Sequence, residues 1–147
     1  MRLIMLVIGS WLYCACSNVA SQEPDPPITT PVSFVSTIEP ILHTSCTASG
    51  CHSGPAPAKD HQLDADSTTI IAEIVNKPSA TDATQMLVVP GNAENSFLVR
   101  KLTNQYDGTT CGELHQCGAQ MPLNQLPLSN HKQHLIEAWI NQGAQNN

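Results

Sequence analysis

The chain has 147 residues, which is enough for one domain with its own hydrophobic core and too few for two ordinary domains. Its 12 acidic residues outnumber the 6 basic ones, for a net charge of −6 at pH 7, and lysine and arginine form no extended run. This composition excludes the basic surface that marks proteins binding nucleic acids. Aromatic residues make up only 4% of the chain, so we expect the core to close around another large apolar group.

Residues 1–16 are predicted to be a signal peptide. Arg2 supplies a short positive start, and residues 3–13 are almost wholly apolar but too few to span a bilayer as a stable helix. Cleavage before Cys16 makes this a lipoprotein signal with a lipidated Cys16, although Tyr13 departs from that pattern. Ordinary cleavage near Ser21 is the alternative. Either cleavage predicts a location in the periplasm or cell envelope, with membrane contact only through an N-terminal lipid.

Residues 17–32 are predicted to be an extended tether. Four prolines and several polar side chains in this stretch disfavour packed structure. Ordered packing should begin near Val32, and the folded domain is expected to cover residues 33–144.

Apolar spacing predicts four helices and almost no strand, and therefore an all-α fold. The first helix carries an i, i+4, i+7, i+8 stripe that begins at Phe34. It is expected to end near Ser45, which delivers Cys46 at its C-terminal end. Pro40 is harmless there if the helix starts near Ser36 or Thr37, because the amides of a first helical turn lack partners in any case, and it forces a kink if the helix starts at Ser33.

The other three helices are predicted from their caps and apolar stripes. The second covers residues 67–76, and the third covers residues 92–102 with Asn92 as its N-cap. The last begins after the N-cap Ser129 and ends at Gly143 in the left-handed conformation. Its apolar stripe consists of Leu135, Ile136, Trp139 and Ile140.

The loop after the first helix contains Cys46 and Cys51, with His52 directly after the second thiol. Two thiols followed at once by an imidazole are what covalent attachment of a c-type haem requires, with the histidine as an iron ligand. Four residues separate the thiols here, where two are usual. The alternatives are a local Cys46–Cys51 disulfide and half of a zinc site, completed by further cysteines and His115.

Met121 is the candidate for the second axial ligand of that iron. It lies 69 residues after His52, and Pro122 stiffens the backbone just past it. A methionine is more often a filler of gaps in a core, which is the plain alternative. Histidines compete for the same role, and His115 is the serious rival; the others are His43, His61, His131 and His134.

Cys111 and Cys117 lie in the loop that carries Met121. No histidine follows Cys117, so a second haem site is absent. In an oxidising compartment free thiols seldom persist, and we expect these two to form a disulfide that stiffens the loop.

Taken in order along the chain, these motifs resemble a family. They are Phe34…Ile38-Glu-Pro-Ile-Leu42, Cys46…Cys51-His52, Val89-Pro-Gly-Asn92…Phe97-Leu98, Met121-Pro122 and Ile136-Glu-Ala-Trp139-Ile140. The chain resembles the class I-like mono-haem cytochrome c modules of secreted bacterial proteins, including the planctomycete type, over residues 33–144. The resemblance implies a small cytochrome c-like fold of about four helices around one covalent haem c, with the N- and C-terminal helices packed together. It also implies His52 as the proximal ligand and Met121 as the distal ligand.

The expected function is electron transfer by a non-enzymatic c-type cytochrome with His/Met ligation. Its acidic surface favours redox protein partners with a basic docking patch. Three alternatives stay open: a haem peroxidase with an open sixth position, a haem-based sensor, and a haem-free, disulfide-stapled lipoprotein that acts as a binding module.

Overall fold

The computed structural model describes residues 26–106, Cys111 and residues 117–147. Within these ranges the chain forms four α-helices: α1 (Glu39–Cys46), α2 (Ser67–Ile74), α3 (Phe97–Thr103) and α4 (Asn130–Asn141). A π-helical turn (Phe34–Ile38) precedes α1, and a 3-10 turn (Ala58–Asp60) lies between α1 and α2. Two isolated β-bridges occur, but no strand is found in the described ranges. The prediction of an all-α fold is confirmed.

Several predicted features lie outside the described residues. They are the signal peptide of residues 1–16, the lipidation site Cys16, the first part of the tether and the histidine at position 115. In the part of the chain that is described, no helix is both long enough and apolar enough to cross a bilayer.

The helical segment is capped by Ser33 and not near Ser36, and Pro40 lies in the first turn of α1, which begins only at Glu39 after the π-helical turn. Proline has no N–H, so it cannot continue the normal bonding from the preceding turn. That preceding turn is wider than an α-helix. The N–H of Ile38 donates to the carbonyl of Ser33 at 3.3 Å, and the N–H of Glu39 donates to the carbonyl of Phe34.

Helix α2 begins at Ser67 as predicted, because Asp66 caps it. One carboxylate oxygen of Asp66 accepts the N–H groups of Thr68 and Thr69 at 3.0 and 3.1 Å. The helix ends at Ile74, two residues earlier than expected. There the backbone turns extended, and Val75 forms a bridge with Val88 instead of a further helical turn.

The predicted start of α3 was wrong by several residues. The helix begins at Phe97, and Asn92 closes a preceding turn in which its side-chain oxygen accepts the N–H of Asn95 at 3.1 Å. Asparagine satisfies nearby amides in a turn as readily as at a helix cap, so its position alone did not locate the helix. The buried hydroxyl of Ser96 completes this turn by donating to the Asn92 carbonyl at 2.8 Å and accepting the N–H of Val89 at 2.9 Å.

The first and last helical segments pack together through two aromatic rings. The ring centroids of Phe34 and Trp139 are 5.2 Å apart, and both side chains are fully buried. Helix α4 has the predicted limits: the Ser129 hydroxyl accepts the N–H of Lys132, and Gly143 has a φ of +104°. The C-terminal Asn147 also contacts this segment, since its side-chain oxygen accepts the N–H of Phe34 at 2.9 Å.

The end of the predicted tether is hydrogen-bonded to Gln142, the residue that follows α4. The side-chain oxygen of Gln142 accepts the N–H of Val32 at 2.7 Å, and its amide nitrogen donates to the carbonyl of Thr30 at 3.0 Å. Val32 is buried, and Ile28 packs against the main core. Ordered contacts therefore begin a few residues before Val32.

Candidate functional site

The loop that joins α1 to His52 is closed by its own backbone. The N–H of His52 donates to the carbonyl of Cys46 at 3.1 Å, and the N–H of Cys51 donates to the carbonyl of Ala48 at 2.8 Å. Gly50 takes a φ of +78°, a conformation that favours glycine. The two cysteines and the histidine are therefore held in one compact turn at the end of α1.

Cys46 and Cys51 are free, half-buried thiols. Burial, and to a smaller extent the neighbouring Cys51, raises the pKa of the Cys46 thiol to about 11. The alternative of a Cys46–Cys51 disulfide is not formed in the structure.

The ring of His52 is oriented by a backbone carbonyl. Its Nδ1 atom lies 3.0 Å from the carbonyl oxygen of Ala58, the first residue of the 3-10 turn. The turn is tied back to the loop, because the N–H of Ala58 donates to the carbonyl of Cys51 at 2.8 Å. A carbonyl can only accept, so Nδ1 carries the proton of the neutral ring and Nε2 carries the lone pair that can bind a metal.

His52 and Met121 line one cavity of about 420 Å³. This volume falls within the range of roughly 300–1,000 Å³ that is typical of small-molecule and cofactor sites. Most of the other lining side chains are apolar, among them Leu63, Ile74, Leu87, Phe97, Leu98 and Leu123. Cys46 and Cys51 do not line the cavity, although His52 directly follows the second of them.

Met121 is positioned by helix α3. Its N–H donates to the carbonyl of Lys101 at 2.8 Å, and the side chain of the preceding Gln120 donates to the carbonyl of Leu102 at 2.7 Å. The Met121–Pro122 peptide bond is cis. The hydrogen bonds of Met121 and Gln120 attach the loop that carries Met121 to the last turn of α3, where Lys101 lines the same cavity.

Cys111 and Cys117 are joined, with their sulfur atoms 2.10 Å apart, in agreement with the predicted disulfide. Both are buried in a small cluster with Phe97, a residue that also lines the cavity. The disulfide therefore anchors the approach to Met121. It also removes these two thiols from the alternative in which they complete a zinc site.

The histidines that compete with Met121 fall into two groups. His43, His131 and His134 do not line the cavity, whereas His61 does. The ring centroids of His61 and His52 are 6.2 Å apart. Burial lowers the pKa of His61, and the neighbouring His52 lowers it further. Among the described residues, no group of three or more His, Cys, Asp or Glu side chains is arranged to hold a metal ion.

Sequence reasoning missed two lysines at the cavity. Lys59 and Lys101 both line it, and the ammonium group of Lys101 donates to the carbonyls of Cys117 (3.0 Å) and Ala119. Burial lowers the pKa of Lys101, and the positive charge of Lys59 lowers it further. The only relevant feature of the sequence was its small number of basic residues, because it makes the presence of two of them at one cavity unusual.

Gly118 allows the close approach of Lys101 to the methionine loop. It has a φ of +75°, and a Cβ atom at this position would lie 3.2 Å from the Lys101 Nζ.

No protein-family model, curated protein or solved structure was found to match this chain.

Proposed function

We propose that this chain is a c-type cytochrome that carries single electrons through one covalently attached haem. The observation that carries the proposal is the convergence of His52 and Met121, which are far apart in the sequence, on one apolar cavity. Histidine and methionine are the axial ligands of haem iron in cytochromes c. The cavity is supported by α3 on the methionine side and by the 3-10 turn on the histidine side.

The donor types are those that a c-type haem requires, with the two cysteines next to His52 and outside the lining of the cavity. The hydrogen bond from His52 Nδ1 to Ala58 leaves Nε2 for the iron and increases the basicity of the ring. The free thiols of Cys46 and Cys51 supply the two sulfur atoms for thioether attachment next to His52. When bound, the haem supplies reversible one-electron chemistry at its iron.

The remaining residues of the site would tune that chemistry. The soft thioether of Met121 favours the ferrous state, and so raises the reduction potential relative to ligation by two histidines. The apolar side chains around the cavity exclude water, which also disfavours the more highly charged ferric state. The Cys111–Cys117 disulfide restrains the loop that holds Met121.

We also propose a cytochrome c-like fold and a location in the periplasm or cell envelope. The packing of Phe34 on Trp139 supports the expected contact of N- and C-terminal helices. A disulfide suits an oxidising compartment. A net charge of −6 favours redox partners with a basic docking patch, and salt should weaken that association.

Absorption spectra of the oxidised and reduced protein, matured in a host that attaches c-type haem, test the proposal. We expect the spectrum of six-coordinate His/Met iron. Met121→Ala should convert it to a form that binds carbon monoxide, whereas Met86→Ala, a change outside the cavity, should not. A Met121→Ala spectrum identical to that of the parent would contradict the assigned ligand and favour an open haem site, as in a peroxidase or sensor.

A further inference from the structure

We infer that Lys59 and Lys101 form a carboxylate-binding pair that holds the propionate groups of the porphyrin at the cavity. The inference rests on the proposed function and extends it, because it names the residues that recognise the polar edge of the cofactor. Two cationic side chains line a cavity whose wall is otherwise mostly apolar.

The two lysines belong to the backbone segments that support the two axial ligands. Lys59 directly follows Ala58, whose carbonyl accepts the Nδ1 proton of His52. The carbonyl of Lys101 accepts the N–H of Met121 at 2.8 Å. Each of the two segments that would position a ligand therefore also carries a lysine that lines the cavity.

The charge balance of the cavity is unusual for this chain. The described ranges contain five basic residues, and two of them line this cavity, whereas no aspartate or glutamate in those ranges does so. Arg100, the neighbour of Lys101, is used elsewhere, since its guanidinium donates to the side chains of Gln85 and Asn95. In an acidic protein, two neighbouring cations without an acidic lining residue favour an anionic ligand.

Lys101 is already fixed in place. Two of its three N–H donors are directed at the carbonyls of Cys117 and Ala119, which leaves one for a ligand. Because its side chain is immobilised before binding, little conformational entropy remains to be lost when a carboxylate is bound. Lys59 is exposed and supplies the second cation at the solvent side.

A comparison of two porphyrins tests the inference in the full-length chain. Cys46→Ser/Cys51→Ser prevents covalent attachment, so that binding of iron protoporphyrin IX and of its dimethyl ester can be measured by absorption titration. We expect Lys101→Met and Lys59→Met each to weaken binding of the free acid about tenfold, as expected for the loss of a charge-assisted hydrogen bond, and to leave binding of the ester within about twofold. Lys132→Met, on α4 and outside the cavity, is the matched control and should change neither.

Equal losses for the acid and the ester would overturn the inference, since they would mean that the lysines only support the fold. Unchanged binding of both porphyrins would overturn it as well. In the matured holoprotein, the same substitutions should lower the reduction potential, because an uncompensated carboxylate stabilises ferric iron. Full haem content with an unchanged potential contradicts the assignment of the lysines and leaves the proposed function standing. If haem binds neither in the titration nor during covalent maturation, the inference and the proposed function are both overturned.

Discussion

The Nδ1 atom of His52 lies 3.0 Å from the carbonyl oxygen of Ala58, and this single hydrogen bond determines which ring nitrogen can bind a metal. The acceptor belongs to a 3-10 turn that is bonded back to Cys51. The segment with Cys46, Cys51 and His52 is therefore held together with Ala58, the residue that orients His52, as one structural unit. The same unit places His52 on the cavity that Met121 lines from α3.

Replacement of His52 should remove the proposed proximal ligand of the haem iron. We expect His52→Ala to abolish the spectrum of six-coordinate iron completely in protein matured with haem. His43→Ala is the control, because His43 lies outside the cavity and is 3.8 Å from Glu39 on α1. Visible absorption of both variants in the reduced state makes the comparison. A parent-like spectrum from His52→Ala would mean that another residue binds the iron.

Phe34→Ala should strongly destabilise the fold. The side chain is fully buried against Trp139, and such truncations cost about 3–5 kcal/mol of unfolding free energy through lost burial and a residual cavity. Val35→Ala is the matched control on the same turn. Val35 is 49% exposed, so its truncation should change stability by no more than about 0.5 kcal/mol. Urea unfolding of both variants measures the difference, and equal effects would contradict the observed packing.

Features marked by several agreeing local signals could be predicted from the sequence, whereas a residue type with two possible local roles could not be assigned. Cys46, Cys51 and His52 are neighbours in the chain, so their chemistry could be read directly. Helix α4 was located correctly because its cap, its apolar stripe and Gly143 agree with one another. The start of α3 was misplaced because Asn92 makes a turn bond that sequence cannot distinguish from a helix cap.

The cavity itself could be predicted only in part. A methionine followed by proline suggested a ligand, but its placement depends on the bonds from Met121 and Gln120 to α3. Lys59 and Lys101 are 42 residues apart in the sequence, and nothing near either of them indicates that both line one cavity. Which distant residues line a cavity together is determined by tertiary packing, and a pattern of apolar spacing does not describe that packing.

Removal of the disulfide should loosen the loop that carries Met121. For a loop as short as that between Cys111 and Cys117, the double change to alanine should cost about 2 kcal/mol of unfolding free energy. It should also weaken the absorption band expected from methionine ligation, because Cys111 and Cys117 pack against Phe97, which lines the cavity. Urea unfolding and absorption spectra give the two readings. A variant with parent stability and an intact band would show that the disulfide has no role in the site.

Acid should weaken helix α2 through its cap. The hydrogen bonds from Thr69 and Thr68 hold the pKa of Asp66 below its ordinary value of 3.8. A carboxyl whose pKa is lower in the folded state stabilises the fold above pH 3.8, and this stabilisation is lost as the pH falls through the folded pKa. Asp66→Asn keeps a capping oxygen without the charge, so the fall in its urea midpoint between pH 6 and about pH 3 should be smaller than that of the parent. An identical pH profile for the two proteins would contradict this role of Asp66.

The mass of the denatured protein tests the central claim most directly. Protein expressed with the predicted signal peptide of residues 1–16, in a host competent for c-type haem maturation, should carry the mass of one haem after unfolding and should stain for haem on a denaturing gel. Cys46→Ala/Cys51→Ala should lose both signals, whereas Cys111→Ala/Cys117→Ala should keep them. A parent chain that unfolds without added mass in such a host would contradict the account.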